Sequence, residues 1–275
     1  MNPTTFFAYA RQAPFGGRLT QAQIDGMNAI MALPWDDDRH LAYALATTFR
    51  ETGATMQPIK ENGGKAYFTR LYDVKGSRPD LARKMGNVNP GDGIRFCGRG
   101  FVQLTWYVNY LKASKVVGVD LVKNPGLAMR DDIAAKILFN GMTEGWFTGK
   151  KLADYFNATV DDPVGARRII NGTDKAQLIA GYHKNFLDAI KAAKKDDIPA
   201  DVKPAMAKPD DVPVQQSSSA LTMVGGLVSG GGLTAVLGIN NPYAFGIAAL
   251  LIVLAAIAAF MFFTGRWTVN RKPAA

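Results

Sequence analysis

Asp36-Asp37-Asp38-Arg39-His40-Leu41-Ala42-Tyr43-Ala44-Leu45-Ala46-Thr47-Thr48-Phe49-Arg50-Glu51-Thr52-Gly53 is the stretch on which the fold turns. Three aspartates offer capping oxygens and negative charge where a helix would begin. Leu41, Ala44, Leu45 and Thr48 then recur at helical spacing on one face. Gly53 is a natural stop. The pattern predicts a helix from the aspartates to about Thr52, with Glu51 in its last turn at the edge of the apolar face. The partial negative charge of a helix C-terminus disfavours a carboxylate there, and partial burial acts the same way. A carboxyl group that keeps its proton can serve as a general acid. A surface Glu paired with a basic side chain is the plainer alternative.

Working outward, Gln21–Leu33 carries Ile24, Met27, Ile30 and Met31 at helical spacing and stops at Pro34. Val102–Ala113, Asp131–Trp146, Pro163–Ile170 and Lys175–Ala193 also read as helical. Glu61 to Gly100 is rich in Gly, Asn and Asp and reads as long loops with at most a short hairpin. Few segments alternate with period two, so residues 1–195 are expected to form a mainly α domain. Asp196–Ser219 holds Pro199, Pro204, Pro209 and Pro213 and ends in three serines, which reads as a semi-extended linker.

Charge divides the 275-residue chain unevenly. Residues 1–200 hold 27 basic and 20 acidic side chains, a net +7 out of the chain's +9. From Val212 to Gly265, 54 residues carry no Asp, Glu, Lys or Arg. Within that stretch Ala244–Phe263 is 20 residues of strongly apolar sequence. As a helix it would span roughly 30 Å, the hydrocarbon thickness of a bilayer. Trp267 and Arg266 follow at interface depth. Ala220–Gly238 is apolar but glycine-rich, and a second span and a flexible spacer are both open for it. The expected organisation is therefore a soluble domain at 1–195, a linker at 196–219, a membrane region at 220–263 and a basic tail at 264–275.

The body's positive charge suits an anionic partner, yet the basic residues are scattered and no nucleic-acid signature is present. No nucleic-acid partner is expected. A single cysteine, Cys97, excludes an intramolecular disulfide, and two distant histidines, His40 and His183, argue against a metal site. The start Met1-Asn2-Pro3-Thr4-Thr5 has no basic n-region, so ordinary secretion is not expected.

Candidate chemistry lies in two further places. Glu61 follows Glu51 by ten residues, past Gly53 and Pro58, and a loop there can bring its carboxylate back towards the first. One acid and one base are what glycoside hydrolysis needs. Cys97-Gly98-Arg99-Gly100-Phe101-Val102-Gln103-Leu104-Thr105-Trp106-Tyr107-Val108-Asn109-Tyr110 is more specific. Its glycines flank Arg99 and allow a ligand to come close to backbone. Gln103, Thr105 and Asn109 suit hydroxyls, N-acetyl groups and water. Trp106, Tyr107 and Tyr110 could lie against sugar rings, or the segment could be a core helix burying Phe101, Leu104 and Val108. Glu144 beside Trp146, Cys97 and His183 read as structural.

Taken together, Leu41–Thr52, Gln57-Pro58-Ile59-Lys60-Glu61, Gly98-Arg99-Gly100-Phe101-Val102-Gln103-Leu104-Thr105 and Arg168-Ile169-Ile170-Asn171-Gly172 resemble glycoside hydrolase family 19, and within it the phage-type endolysin branch more than the plant chitinases. The resemblance covers about residues 20–190. It implies a lysozyme-like helical catalytic domain, no cofactor or metal, and inversion by single displacement, with the two carboxylates roughly 6.5–9.5 Å apart. It also implies Glu51 as general acid, Glu61 as general base and Thr105 as the hydroxyl that positions water. Gln103, Asn109 and Asn171 match positions lining the sugar cleft, and Arg99 and Tyr110 are added as candidate substrate contacts.

One departure stands out. Many relatives have His before the catalytic Glu, where this chain has Arg50. A cation there opposes the acid role unless it points away, as a step of about 100° per residue permits.

The expected protein is thus a membrane-anchored peptidoglycan hydrolase, a phage lysin or virion-associated enzyme. Its partners would be glycan strands, the lipid bilayer and virion or membrane proteins, with the host inner membrane or a virion membrane as its location. The rivals are a chitinase, and a non-catalytic membrane-anchored structural protein that keeps the fold. For topology, a hairpin of both apolar segments would keep body and basic tail on one side, in line with the positive-inside tendency.

Overall fold

The computed structural model describes residues 1–195, 197–213, 257, 260, 261 and 268–270. They are mainly helical. The order is α1 (Pro3–Gln12), α2 (Gln21–Met31), α3 (Asp38–Glu51), β1 (Ile59–Lys60), α4 (Lys65–Tyr72), α5 (Pro79–Lys84), α6 (Asp92–Arg95) and β2 (Arg99–Gly100). Then follow α7 (Tyr107–Val117), α8 (Asp131–Glu144), α9 (Ala176–Ala193), β3 (Asp211–Pro213) and β4 (Thr268–Asn270). A 3₁₀ turn at Gly165–Ile169 precedes α9.

Helix α3 begins as its sequence predicts. The Asp37 side chain accepts from the Arg39 backbone N–H at 2.8 Å, which satisfies one of the donors a helix start leaves open. The helix ends at Glu51, where the Thr52 hydroxyl donates to the Thr48 carbonyl at 2.8 Å and accepts from the Met56 N–H at 3.0 Å. Gly53 follows in the left-handed region at φ 60°.

Helix α3 is not one-sided. Ala42, Tyr43, Ala44, Leu45 and Ala46 are all fully buried, because the alanines between the larger residues let neighbours close in on the second face. Helix α9 packs along it, α1 packs on α9, and α8 touches α3. An aromatic seam of Phe15, Phe49 and Phe186 joins α3 to α9. Glu51 therefore projects from the end of the most deeply held helix in the body.

Residues 61–100 depart from the loop expectation. Helices α4, α5 and α6 are eight, six and four residues long, too short to show a helical period in sequence. Asp73 organises them. It is buried, and its Oδ2 accepts from the N–H groups of Gly91 at 2.7 Å and Gly93 at 3.3 Å. In place of a short hairpin within this stretch, β1, which precedes it, pairs antiparallel with β2 across the three helices, Ile59 opposite Gly100 and Lys60 opposite Arg99.

The helix expected from Val102 begins only at Tyr107. Residues 99–104 instead close a tight turn, with paired Arg99 and Leu104 backbone bonds and Gln103 at φ 55°.

The Pro-rich stretch does not leave the body at Asp196. Pro204–Ala207 forms a 3₁₀ turn, and the buried Arg11 guanidinium donates to the Met206 carbonyl at 2.6 Å and to the Lys208 carbonyl. The first compact unit comprises Met1–Arg18 and Ala22–Lys208. Its boundary lies beyond residue 195 because one inward arginine captures two carbonyls of a segment whose own composition predicts no core.

The second unit comprises Leu19–Gln21 and Pro209–Ala275. Within it the Leu19 N–H donates to the Asp210 carboxylate at 2.7 Å and the Gln21 N–H to the Asp211 carboxylate at 2.6 Å. Strand β3 pairs antiparallel with β4, Asp211 opposite Asn270. Among the described residues no helix is long and apolar enough to cross a membrane. The expected span Ala244–Phe263 lies outside them except for Ile257, Phe260 and Met261, and Ala220–Gly238 lies wholly outside.

Candidate active site

The body places two carboxyl groups in contrasting surroundings. Glu51 Oε1 accepts from Arg167 Nη1 at 2.6 Å. The Arg167 side chain is 6% exposed and that of Glu51 22%. Arg167 comes from the Gly165–Ile169 turn, and its Nε also donates to the Asp174 carbonyl at 3.0 Å. One guanidinium thus ties the end of α3 to the loop before α9. Glu51 Oε2 has no protein partner among the described residues. A carboxyl group held in this way has one oxygen fixed and the other turned to whatever occupies the site.

Glu61 sits among donors. Its Oε1 accepts from the Tyr72 hydroxyl at 2.8 Å and the Tyr67 hydroxyl at 3.2 Å. Its Oε2 accepts from the Gly98 N–H at 3.2 Å, and its own N–H donates to the Gly98 carbonyl at 2.9 Å. The β1–β2 pairing creates this arrangement by laying Gly98 alongside Glu61. Burial, reinforced by the Glu61 carboxylate, pushes both phenols above the ordinary tyrosine range, so they remain donors at physiological pH.

Gly98 has no room for a side chain. A Cβ there would stand 2.6 Å from Gln103 Oε1 and 3.1 Å from Glu61 Oε2.

The turn after β2 delivers the remaining candidates. Gln103 Nε2 donates to the Ile59 carbonyl at 3.1 Å, which ties the turn to β1. The Thr105 hydroxyl donates to the Gln103 carbonyl at 2.8 Å. Its only proton is thereby committed, leaving lone pairs to accept from water. Asn109 Nδ2 donates to the Thr105 carbonyl at 2.8 Å, so it holds the threonine backbone in place.

One expected substrate contact needs correction. Tyr110 is fully buried, because its α7 position faces Phe96 in the core. Its hydroxyl donates to the Cys97 carbonyl at 2.9 Å and accepts from Arg99 Nη1 at 2.8 Å. Burial raises its pKa to about 12. It cannot lie against a sugar; it braces the turn. Arg99 Nη1 is likewise spent internally, on the Tyr110 hydroxyl and the carbonyls of Arg95 and Cys97.

Asn171 is exposed, and its N–H donates to the Arg167 carbonyl at 3.0 Å. Arg50 makes no ion pair with Glu51 among the described residues; its Nε is buried without a partner. The cation at Glu51 is Arg167, which motif reading passed over although it stands beside the quoted Arg168. Glu144 accepts from the Trp146 indole at 2.7 Å.

A mainly helical body thus carries two separately partnered carboxyl groups and a hydroxyl whose proton is donated internally, groups suited to acid–base chemistry. Residues 35–155, which include Glu51, Glu61 and Thr105, match the family model for class I chitinases, the chitinase model of glycoside hydrolase family 19.

Among curated proteins the chain is similar to Chitinase 11 of Oryza sativa subsp. japonica, 29% identical over 140 residues, 42% of this chain and 53% of the relative. It is also similar to Basic endochitinase B of Arabidopsis thaliana, 40% identical over 58 residues, 21% of this chain and 16% of the relative. The chain spans about half or less of the length of these relatives. Among solved structures, chitinase C from Streptomyces griseus is similar with a TM-score of 0.43 and 21% identity, covering 66% of this chain and 72% of that one.

Proposed function

We propose that the chain is a membrane-anchored glycosidase that hydrolyses β-1,4 bonds in the glycan strands of peptidoglycan. The observation that carries this reading is the different partnering of the two carboxyl groups: Oε1 of Glu51 accepts from Arg167 and Oε2 has no protein partner among the described residues, whereas both oxygens of Glu61 accept from protein donors. In this proposal Glu51 gives a proton from Oε2 to the leaving glycosidic oxygen although the Arg167 cation is bonded to its Oε1, so the acid role depends on Glu51 carrying a proton in the substrate complex. Glu61 takes a proton from water as that water's oxygen bonds to the anomeric carbon. Thr105 accepts the water's second hydrogen and so aims its lone pair. The substrate is cleaved in one displacement with inversion, and no metal or cofactor takes part.

The body's net charge of +7 suits the acidic polymer of a bacterial wall. The 54-residue uncharged stretch suits a bilayer, and Ile257 and Phe260, helical and more than half exposed, are the side chains that lipid would cover. The pairing of β3 with β4 brings together the two ends of the segment between them. Ends that share a sheet lie on one side of a membrane, which supports an even number of crossings, as in a hairpin of Ala220–Gly238 and Ala244–Phe263. A phage lysin or a virion-associated enzyme fits this combination of wall hydrolase and anchor.

A second reading is a chitinase, which the names of the curated relatives favour. The test gives the detergent-solubilised full chain purified peptidoglycan and, separately, N-acetylglucosamine oligomers. New reducing ends from peptidoglycan support the first reading. Turnover of the oligomers alone assigns the chain to chitin, and turnover of neither supports a non-catalytic protein.

A further inference from the structure

An open cavity of about 480 Å³ lies between the Gly165–Ile169 turn and the start of α9. Arg168, Lys175, Thr173 and Gln177 line its polar side, and Val164 and Leu178 its apolar side. Arg168 and Lys175 are exposed, and neither side chain has a hydrogen bond or ion pair among the described residues. Their backbones are nonetheless fixed. The Arg168 carbonyl accepts from the Thr148 hydroxyl at 2.6 Å, and Lys175 is the left-handed residue (φ 57°) from which α9 starts.

Among the described residues no acidic side chain lines the cavity. The first turn of α9 has none, Asp162 accepts from the Gly165 N–H at 2.7 Å, and Asp174 does not line the cavity. Two cations in a concave site attract an anion more strongly than the same charges on a convex surface.

The cavity's position is set by Arg167. That guanidinium bonds Glu51 Oε1 with one nitrogen and the Asp174 carbonyl with another. Asp174 lies between Thr173 and Lys175, both on the cavity wall. The rim is therefore one guanidinium's breadth from the carboxyl group that faces the scissile bond.

We propose that the cavity binds a carboxylate-bearing, peptide-like substituent of the glycan strand, and that this contact separates acidic glycan from neutral aminosugar polymer. The inference rests on the glycan-hydrolase reading above. Arg168 and Lys175 take the carboxylate, Thr173 and Gln177 supply neutral polar partners, and Val164 and Leu178 cover the adjoining aliphatic carbons. A neutral polymer would leave both cations unused.

The test uses the full chain with Glu61→Gln, which removes the base and leaves the Glu51–Arg167 pair intact. Calorimetry compares an N-acetylglucosaminyl–N-acetylmuramyl peptide with free carboxylates against the same fragment with its carboxylates amidated. The free acid is expected to bind about tenfold more tightly, equivalent to about 1.4 kcal/mol. In the Arg168→Gln/Lys175→Gln double variant the ratio should fall to near one, and Arg168→Lys/Lys175→Arg should restore it.

Equal binding of the two fragments, or a preference that survives the double variant, overturns the proposal. The substrate reading is judged separately: a wild-type chain that cleaves chitin oligomers but not peptidoglycan overturns that reading, while the binding ratio still decides the cavity. Unchanged melting temperatures in the variants exclude loss of fold as the cause.

Discussion

Arg167 and Glu51 are 116 residues apart in sequence and meet through a 2.6 Å charge-assisted hydrogen bond. The same guanidinium anchors the Asp174 carbonyl, so it both orients the carboxyl group and shapes the loop beside it. Arg167→Ala would strand a partly buried carboxyl group and a carbonyl. Removing one partner of a fully buried pair costs about 3–5 kcal/mol; with Glu51 22% exposed, roughly 2–3 kcal/mol is expected from urea titration. Arg167→Lys keeps the charge but cannot make both contacts. It should fold and lose about tenfold or more in kcat. Equal activity of Arg167→Lys and wild type would show that the fork geometry does not matter.

Gly98→Ala should fold with its carboxylate surroundings disturbed. Its new methyl group would press on Gln103 Oε1 and Glu61 Oε2, displacing the Glu61 carboxylate rather than the core. A fall in kcat of about 10²-fold, with the melting temperature lowered by only a few degrees, is expected, since misplacement of about 1 Å costs that much. Wild-type kcat would contradict the tight packing around Glu61.

Tyr72→Phe and Tyr67→Phe each remove one donor from Glu61. The 2.8 Å bond from Tyr72 is shorter than the 3.2 Å bond from Tyr67, so the loss should be larger for Tyr72→Phe. Steady-state kinetics should show kcat falling and KM nearly constant in both. The reverse order would assign the main orienting role to Tyr67.

His183 predicts an acid-sensitive fold. It is buried against Tyr43 and Phe156, and burial lowers its pKa from 6.5 to about 4. Between those values the unfolded chain binds the proton and the folded chain does not. Stability from the neutral imidazole is therefore full above about pH 6.5 and is lost as pH falls towards 4, by roughly 3 kcal/mol at most. Urea midpoints for wild type should drop over that window, and His183→Phe should flatten the drop. An unchanged slope in the variant would place the acid sensitivity elsewhere.

Much of the fold is legible in the chain because local signals agree there. The Asp37 cap, the apolar rows of α3 and the stop at Gly53 all specify one helix, and Glu51 comes with it. The Gly98–Thr105 segment is legible as a site but not as a shape. A helix from Val102 fits its composition, whereas the backbone pairing of Arg99 with Leu104 turns it into a hairpin end. Tyr110 shows the same limit: an aromatic with a polar handle suits both a sugar and a core, and only its packing against Phe96 decides. Arg167 and Arg11 are harder still. Each looks like a surface cation, and each is buried because of partners far away in sequence.

The most direct test is the rate of reducing-end release from peptidoglycan by the full chain and its Glu51→Gln and Glu61→Gln variants. Both substitutions preserve shape, replace one acceptor oxygen by a donor NH2 and remove the proposed acid or base, and general acid–base catalysis is worth about 10²–10⁴-fold. Each variant is expected to lose at least about 10²-fold in kcat with its circular dichroism unchanged. A folded variant of either kind that retains wild-type activity would contradict the assignment of Glu51 and Glu61 as the reacting pair.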